Sequence, residues 1–289
     1  MSFEISDGNI VGFLGPNGAG KTTTMRLLTG FLSPDKGTVF INGINVNENP
    51  KEAQKQIGYL PENNPLYDDM LVSDFLELSM DLQNIPKEKR KKALDFVVSA
   101  MNIGSVYYRP IKELSKGFKQ RVGIGACLLH EPKIIIMDEP TEGLDPNQRQ
   151  EIRSLVKNLA KDRTIILSTH VMAEAKALCD KMLIINNGSL VAQGTSEELS
   201  NLARKEKILL LELEGSNIES LLRNLTGISK LEVEHTLNNR LKAKIFIPDS
   251  TFQIQPVISR LICENRWVVW KMVEEEYGLE DIFHKLTLN

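Results

Sequence analysis

The sequence has little of what marks secreted, metal-binding or membrane-spanning proteins. Its 289 residues contain 3 cysteines, Cys127, Cys179 and Cys263, without a C-x-x-C pair. This argues against a disulfide framework or a zinc site and favours a reducing compartment. Apolar runs such as KIIIM and KILLLEL are far shorter than the ~20 residues that span a bilayer, and the acidic, polar start does not resemble a signal peptide.

Strong charge of either sign is also missing. The chain has 35 basic and 38 acidic residues, a formal net charge of -3. Because no segment is markedly basic, we expect no nucleic-acid partner. With 42% hydrophobic residues, the chain can bury one large core or two modest ones, and typical domain sizes favour two.

Strand-like apolar runs alternate with helical patterns along the first part of the chain. The strand-like runs are NIVGFLG, GTVFING, QIGYLP, KIIIMDEP and RTIILSTH. Helical patterns include KTTTMRLLTGF, most of Leu71 to Met101, NQRQEIRSLVKNLAKD and VMAEAKALC. This alternation predicts an α/β fold with a mostly parallel sheet covered by helices.

The character of the sequence changes after residue 204. Strand, helix, strand, strand, helix, strand and helix are predicted in that order, the last over GLEDIFHKLT, and the order is that of a ferredoxin-like α+β domain. We therefore predict domains at 1–204 and 205–289. The second has no catalytic cluster, so we expect a regulatory or dimer-supporting role; Glu274 to Glu276 are interpreted as a solvated turn.

A phosphate-binding loop follows the first predicted strand. Gly15 to Thr22 match G-x-x-x-x-G-K-[ST] between a strand and a helix, the context that this motif needs. The glycines let backbone N–H groups surround phosphate oxygens, Lys21 reaches the β and γ phosphates, and Thr22 offers its hydroxyl to Mg²⁺. The alternative is a glycine-rich turn with a chance lysine. The predicted binding residues here are Gly15, Pro16, Asn17, Gly18, Ala19, Gly20, Lys21, Thr22 and Thr23.

Two carboxylates follow the apolar run IIIM. A buried strand delivers Asp138 to its carboxyl end, where ligands of open α/β sheets bind. Asp138 is the expected Mg²⁺ partner, and Glu139 is the candidate general base for the water that attacks the γ-phosphate. The alternative for Glu139 is a helix cap.

With these motifs, residues 1–200 resemble the nucleotide-binding subunits of ABC transporters. LSKGFKQRVGIG, from Leu114 to Gly125, is similar to the family's signature, and the motif order is also that of the family. The resemblance implies that Ser115 and Gly117 contact ATP held by the other protomer of a head-to-tail homodimer. It also implies a D-loop at Asp145 and a switch histidine at His170.

The resemblance further implies what the chain works with. Members of the family bind ATP and Mg²⁺, and a helical subdomain, here about 65–125, receives a separate transmembrane permease. The chain is then expected to be cytoplasmic and peripheral at the inner face of the cell membrane. We expect it to hydrolyse ATP and so to energise the permease; the alternative is a regulatory subunit that binds ATP but hydrolyses it weakly or not at all.

Three positions depart from the family pattern. Lys116 stands at a usual glycine of the signature and Phe118 at a usual glutamine. Glu62 lies where the glutamine loop has an amide, and a carboxylate there could ligate Mg²⁺ or orient water. The alternative for Glu62 is an acidic loop residue in solvent.

The start of the chain and two other stretches suggest finer features. IGYLPENNPLYDDMLVSDFL and GLEDIFHKLT look most like the gliding-motility-associated branch of the family. Family members carry further strands and an adenine-stacking aromatic residue before the phosphate loop, so we expect a chain truncated at its N-terminus. Phe3 is expected in a strand, as core packing rather than an adenine platform.

Overall fold

The computed structural model describes residues 1–203, 207–236, 240–248, 253–276 and 283. The chain forms two compact units, Met1–Thr195 and Ser196–Asn289. Within the described residues, no helix has the length and apolar character needed to cross a membrane. The domain limits expected from the sequence remain a prediction.

Eight strands lie in the first unit. A 6-stranded sheet has the order β4-β5-β6-β1-β7-β8, and β2 and β3 form a separate hairpin. Neighbouring strands are parallel except for the antiparallel pair β7 and β8, which confirms the mostly parallel sheet. The strands are β1 Ile10–Leu14, β2 Phe40–Ile41, β3 Ile44–Asn45, β4 Ile57–Leu60, β5 Ile134–Met137, β6 Thr164–Thr169, β7 Lys181–Asn186 and β8 Ser189–Gly194.

The central strands are apolar because both faces of the sheet are covered. Along β5, Ile135 and Met137 join one buried cluster, whereas Ile134 and Ile136 join the other. Successive side chains of a strand point to opposite faces, so a continuous apolar run supplies two cores at once.

Helices connect these strands. The helices of the first unit are α1 Lys21–Leu28, α2 Pro50–Gln54, α3 Val72–Leu82, α4 Lys87–Ala100, α5 Lys116–Leu128, α6 Pro146–Leu159 and α7 Met172–Leu178. Short 3-10 turns occur at Gly104–Val106 and Ile111–Glu113. In α3, Val72, Phe75, Leu76, Ser79 and Met80 are buried, a helical stripe that packs into the first core.

The second unit contains a 4-stranded antiparallel sheet in the order β10-β11-β9-β12. Its core is formed by alternate residues such as Leu209, Leu211 and Leu213 with Ile218, Leu222 and Ile258 of the helices. Its elements are α8 Ser196–Ala203, β9 Lys207–Glu214, α9 Ile218–Arg223, β10 Lys230–His235, β11 Arg240–Ile247, α10 Gln255–Asn265 and β12 Val268–Glu276. The expected last helix, GLEDIFHKLT, lies outside the described residues except for Phe283.

Two local expectations were wrong. Glu274 to Glu276 continue strand β12 instead of forming a turn, because they pair with Lys207 to Leu209 of β9. Residues 1–6 form no strand, although Phe3 still packs edge-on against Phe13, with ring centroids 5.2 Å apart. The short strand expected in GTVFING is confirmed at Phe40–Ile41, and Asn42 and Gly43, both with positive φ, form the tight turn that leads to β3.

Candidate nucleotide-binding and catalytic site

Three neighbouring strands end at one edge of the large sheet, and each delivers a predicted site segment. β1 leads into the phosphate loop, β5 into Asp138 and β6 into His170. These strands lie side by side in the order β5-β6-β1, with Leu14 opposite Thr169 and Met137 opposite Leu167. The carboxyl ends of parallel strands form the usual ligand-binding edge of an α/β sheet.

The phosphate loop is a close-fitting backbone turn. A Cβ added at Gly15 would lie 2.4 Å from the carbonyl oxygen of Ile185 on β7, so only glycine fits there. Gly18 and Gly20 have φ values of 81° and 102°, the left-handed region that favours glycine. Gly15, Ala19 and Lys21 are buried, Pro16, Gly20 and Thr22 are half-buried, and Asn17, Gly18 and Thr23 are exposed.

Lys21 is the buried cation of this loop. Its ammonium donates to the carbonyl oxygens of Gly15 at 2.9 Å and Pro16 at 3.3 Å. It also lies 3.3 Å from Oε1 of Glu139, with both side chains less than a tenth exposed. The phosphate loop and the segment after β5 are therefore joined by a charge pair.

Glu139 links Lys21 to the histidine at the end of β6. Its Oε2 lies 3.0 Å from Nδ1 of His170. Its backbone has φ 48°, an uncommon left-handed conformation for a non-glycine residue. The carboxylate of Glu139 thus lies between two basic side chains. These compensate its negative charge, and the ionised carboxylate is the form that can accept a proton.

Asp138 is completely buried and has one oxygen without a partner. The hydroxyl of Ser168 donates to Oδ1 of Asp138 and accepts the Glu139 backbone N–H at 2.9 Å. Within the described residues, Oδ2 of Asp138 has no hydrogen-bond partner. A buried carboxylate oxygen left free in this way fits a hard cation such as Mg²⁺, which keeps several waters and takes oxygen ligands. No cluster of three or more His, Cys, Asp or Glu suited to a metal occurs in the described chain.

Glu62 lies on the exposed loop after β4, near these carboxylates. Its pKa is raised above the ordinary value of a glutamate, first because surrounding protein partly removes its hydration. The negative charges of Asp138, Glu142 and Glu139 raise it further. Glu62 therefore belongs to the same electrostatic environment as the residues after β5.

Ser115, Gly117 and Asp145 lie at the starts of α5 and α6. The Ser115 hydroxyl accepts the N–H of Phe118 at 3.3 Å, and Oδ1 of Asp145 accepts the N–H of Gln148 at 2.9 Å. A Cβ added at Gly117 would lie 2.9 Å from the Gln148 side chain. Ser115 and Asp145 are therefore helix caps. The closeness of Gly117 to Gln148 shows that the starts of α5 and α6 pack against each other.

Lys116 extends this packing onto the loop before α6. A Cβ added at Gly143 would overlap the Lys116 ammonium. Lys116 therefore lies over the loop that contains Gly143, just before α6.

Two residues that connect the site segments, Ser168 and Glu174, were not predicted from the sequence. Ser168 lies in the same STH stretch as His170, but its role depends on β5 being the neighbour of β6. Glu174 is buried in α7, where it accepts hydrogen bonds from Thr141 and Thr169. Neither role has a signal in the local sequence pattern.

Comparisons with known proteins identify the family. The family model described as ABC transporter matches residues 1–142. The chain is 34% identical to the bacitracin transport ATP-binding protein BcrA of Bacillus licheniformis, over 99% of this chain and 90% of the relative. It is 31% identical to the linearmycin resistance ATP-binding protein LnrL of Bacillus subtilis (strain 168), over 99% of this chain and 92% of that relative.

Other relatives match the first part of the chain. An uncharacterized ABC transporter ATP-binding protein of Bacillus subtilis (strain 168), YhcH, is 39% identical over 66% of this chain, which spans 62% of that relative's length. Among solved structures, cbiO1 from Clostridium perfringens, part of the ABC transporter complex cbiONQ, has a TM-score of 0.63 at 28% identity. That match covers 69% of this chain and 82% of cbiO1.

The fold and the edge of the sheet are those of a P-loop ATPase of the ABC type. With these matches, the chain belongs to the ABC transporter ATP-binding protein family.

Proposed function

We propose that the chain binds and hydrolyses ATP and thereby energises a separate membrane permease. The observation that carries this proposal is the contact series at the edge of the sheet. Glu139, after β5, lies 3.3 Å from Lys21 of the phosphate loop and 3.0 Å from His170 after β6. A nucleotide phosphate at the loop would therefore lie beside both a base and a cation.

Each residue has a role in this proposal. The loop N–H groups and Lys21 bind the phosphates, and Glu139 accepts a proton from the attacking water. His170 orients Glu139 through their 3.0 Å contact. Thr22 and Asp138 would hold Mg²⁺, which when bound neutralises phosphate charge. Support comes from the free, buried Oδ2 of Asp138.

We also propose that Glu62 joins Asp138 near the metal position, as a ligand or by orienting water. The raised pKa of Glu62 supports this assignment, because its causes include the negative charges of Asp138 and Glu139. A carboxylate there adds negative charge beside the triphosphate, so turnover depends on the metal that offsets it.

A second copy of the chain completes the site in this proposal. Ser115 and Gly117 would contact ATP held by the partner's phosphate loop, with Asp145 near the same interface. Each of the two cap positions lies at the start of a helix, where backbone N–H groups favour an anion. The arrangement is a head-to-tail homodimer with two equivalent ATP sites.

The relatives support a proposal about the permease and the location. BcrA is a bacitracin transport ATP-binding protein, and cbiO1 is part of a transporter complex. We propose that this chain likewise assembles with a permease, at the cytoplasmic face of a membrane. The region of about 65–125, with α3, α4 and most of α5, would receive it.

We propose that the second unit is a ferredoxin-like accessory domain. Its described strands and helices follow the order β9-α9-β10-β11-α10-β12, and the strand order β10-β11-β9-β12 supports this assignment. Membership of the gliding-motility-associated branch stays a proposal that rests on the stretches IGYLPENNPLYDDMLVSDFL and GLEDIFHKLT.

The test compares Mg²⁺-dependent ATP hydrolysis by the full chain and by Glu139→Gln. We expect turnover to fall about 10²- to 10⁴-fold, the usual effect of removing a general base, while ATP binding persists. Glu142→Gln is the matched control, because Glu142 is an exposed carboxylate of the same loop. Equal loss in both variants would contradict the role of Glu139, and ATP binding without hydrolysis by the full chain would favour a regulatory subunit.

A further inference from the structure

Glu174 is a buried carboxylate with hydrogen-bond partners on two other segments. Only 4% of its surface is exposed. The hydroxyl of Thr141 donates a short hydrogen bond to its Oε2, and the hydroxyl of Thr169 donates to the same oxygen at 3.4 Å. Its other oxygen lies 3.6 Å from Nη2 of Arg153.

The partners of Glu174 come from the segments that carry the proposed catalytic groups. Thr141 follows Glu139 closely, and Thr169 directly precedes His170. Arg153 lies on α6, the helix that Asp145 caps. One side chain therefore ties together the segment after β5, the end of β6 and the helix of the D-loop.

Fold stability alone does not account for a carboxylate at this position. Burying an ion costs several kcal/mol before its partners compensate, and well-packed apolar residues often replace buried ion pairs without loss. The neighbours of Glu174 in α7, Met172, Ala175 and Leu178, are buried and apolar. A need to position the loops that follow β5 and β6 is the simpler reason for a carboxylate among these apolar residues.

We infer that Glu174 is a positioning residue that fixes the loop carrying Glu139 relative to the loop carrying His170. Its hydrogen bonds to Thr141 and Thr169 fix the loop ends, and so maintain the 3.0 Å contact between Glu139 and His170. The inference rests on the proposed ATPase function, and it adds a role that involves no contact with ATP.

Isosteric variants test the inference. Glu174→Gln removes the charge at nearly constant volume, and Thr141→Val removes only the hydroxyl, whereas Thr141→Ser keeps it. Thr164→Val is the matched control. Thr164 is a buried threonine like Thr141, but it begins β6, and its hydroxyl accepts the Gly8 N–H at the end of that strand opposite to Thr169.

We expect kcat to fall about 10- to 100-fold in Glu174→Gln and Thr141→Val, the range seen when partners that orient active-site ligands are removed. The KM for ATP changes less than about threefold, because the phosphate loop is untouched. Thr141→Ser is expected to retain most of the wild-type kcat, because it keeps the hydroxyl. Thr164→Val is expected to retain the wild-type kcat as well. Combining Glu174→Gln with Thr141→Val adds less than about twofold, since both act on the same hydrogen bond: the first makes its acceptor neutral and the second removes its donor.

Amide hydrogen exchange gives a readout that does not depend on hydrolysis. In Glu174→Gln, exchange in 140–145 and 169–172 is expected to rise at least about tenfold relative to the other segments of the sheet edge. Unchanged exchange and unchanged kcat would overturn the inference while leaving the ATPase proposal standing. A full chain that hydrolyses no ATP would overturn the ATPase proposal, and the exchange result would then test separately whether Glu174 fixes the two loops.

Discussion

Replacing Ser168 with alanine tests whether the buried hydroxyl at the end of β6 organises the site. Ser168 and Asp138 are both fully buried. The substitution removes the donor to Oδ1 of Asp138 and the acceptor of the Glu139 N–H. Because Oδ2 of Asp138 already has no partner in the described chain, neither carboxylate oxygen would then have one.

The expected cost follows from these lost partners. An unsatisfied buried polar group costs about 1–3 kcal/mol, and a charged one more. Two such groups give a loss of roughly 2–6 kcal/mol, a large part of the ~5–15 kcal/mol that stabilises a typical domain. Urea denaturation followed by circular dichroism measures this loss as a shift of the unfolding midpoint of the first unit.

Ser79→Ala is the control for that measurement. Ser79 is also buried, but its hydroxyl donates only to the Phe75 carbonyl oxygen one turn earlier in α3. That carbonyl keeps its helical N–H partner, and alanine favours a helix, so we expect a change below about 1 kcal/mol. If Ser168→Ala costs no more than Ser79→Ala, the reasoning about Asp138 is wrong.

Two further predictions concern the phosphate loop and the thiols. Gly15→Ala places a methyl group 2.4 Å from a carbonyl oxygen of β7 and is expected to destabilise the first unit by about 1–3 kcal/mol. Gly104→Ala meets only an ordinary 3.7 Å contact and should be near neutral in the same denaturation assay, so equal effects would contradict this. Burial raises the pKa of Cys127 and Cys179 to about 12. At pH 8 their thiolate fraction is then roughly 1,000-fold below that of an ordinary thiol; a thiol reagent should label exposed Cys263 first, and rapid native labelling of all three would refute the burial.

Local motifs with a matching context could be predicted from the sequence. The phosphate loop, the apolar run before Asp138 and the strand before His170 each combine a short motif with an apolar strand. Their meeting at one edge follows from the parallel sheet, because all three are carboxyl ends. The assignment of roles to these residues remains a proposal.

Other features depend on neighbours distant in sequence. Glu274 belongs to a strand because β9 pairs with it and Lys207 forms an ion pair with it. The roles of Ser168 and Glu174 depend on which segments end beside β6. By contrast, the hairpin of β7 and β8 has a local sequence signal, because Asn187 and Gly188 form its turn with φ values of 47° and 73°.

In the proposed homodimer, ATP is hydrolysed at a site shared by two copies of the chain. The most direct measurement mixes Glu139→Gln protein with Ser115→Arg protein, each inactive alone, and follows Mg²⁺-dependent hydrolysis. In a mixed dimer, Glu139 of one copy and Ser115 of the other complete one intact site. We predict about a quarter of wild-type turnover, since half of randomly mixed dimers carry both variants and each has one intact site. Turnover no higher than the sum of the separate variants would contradict the claim.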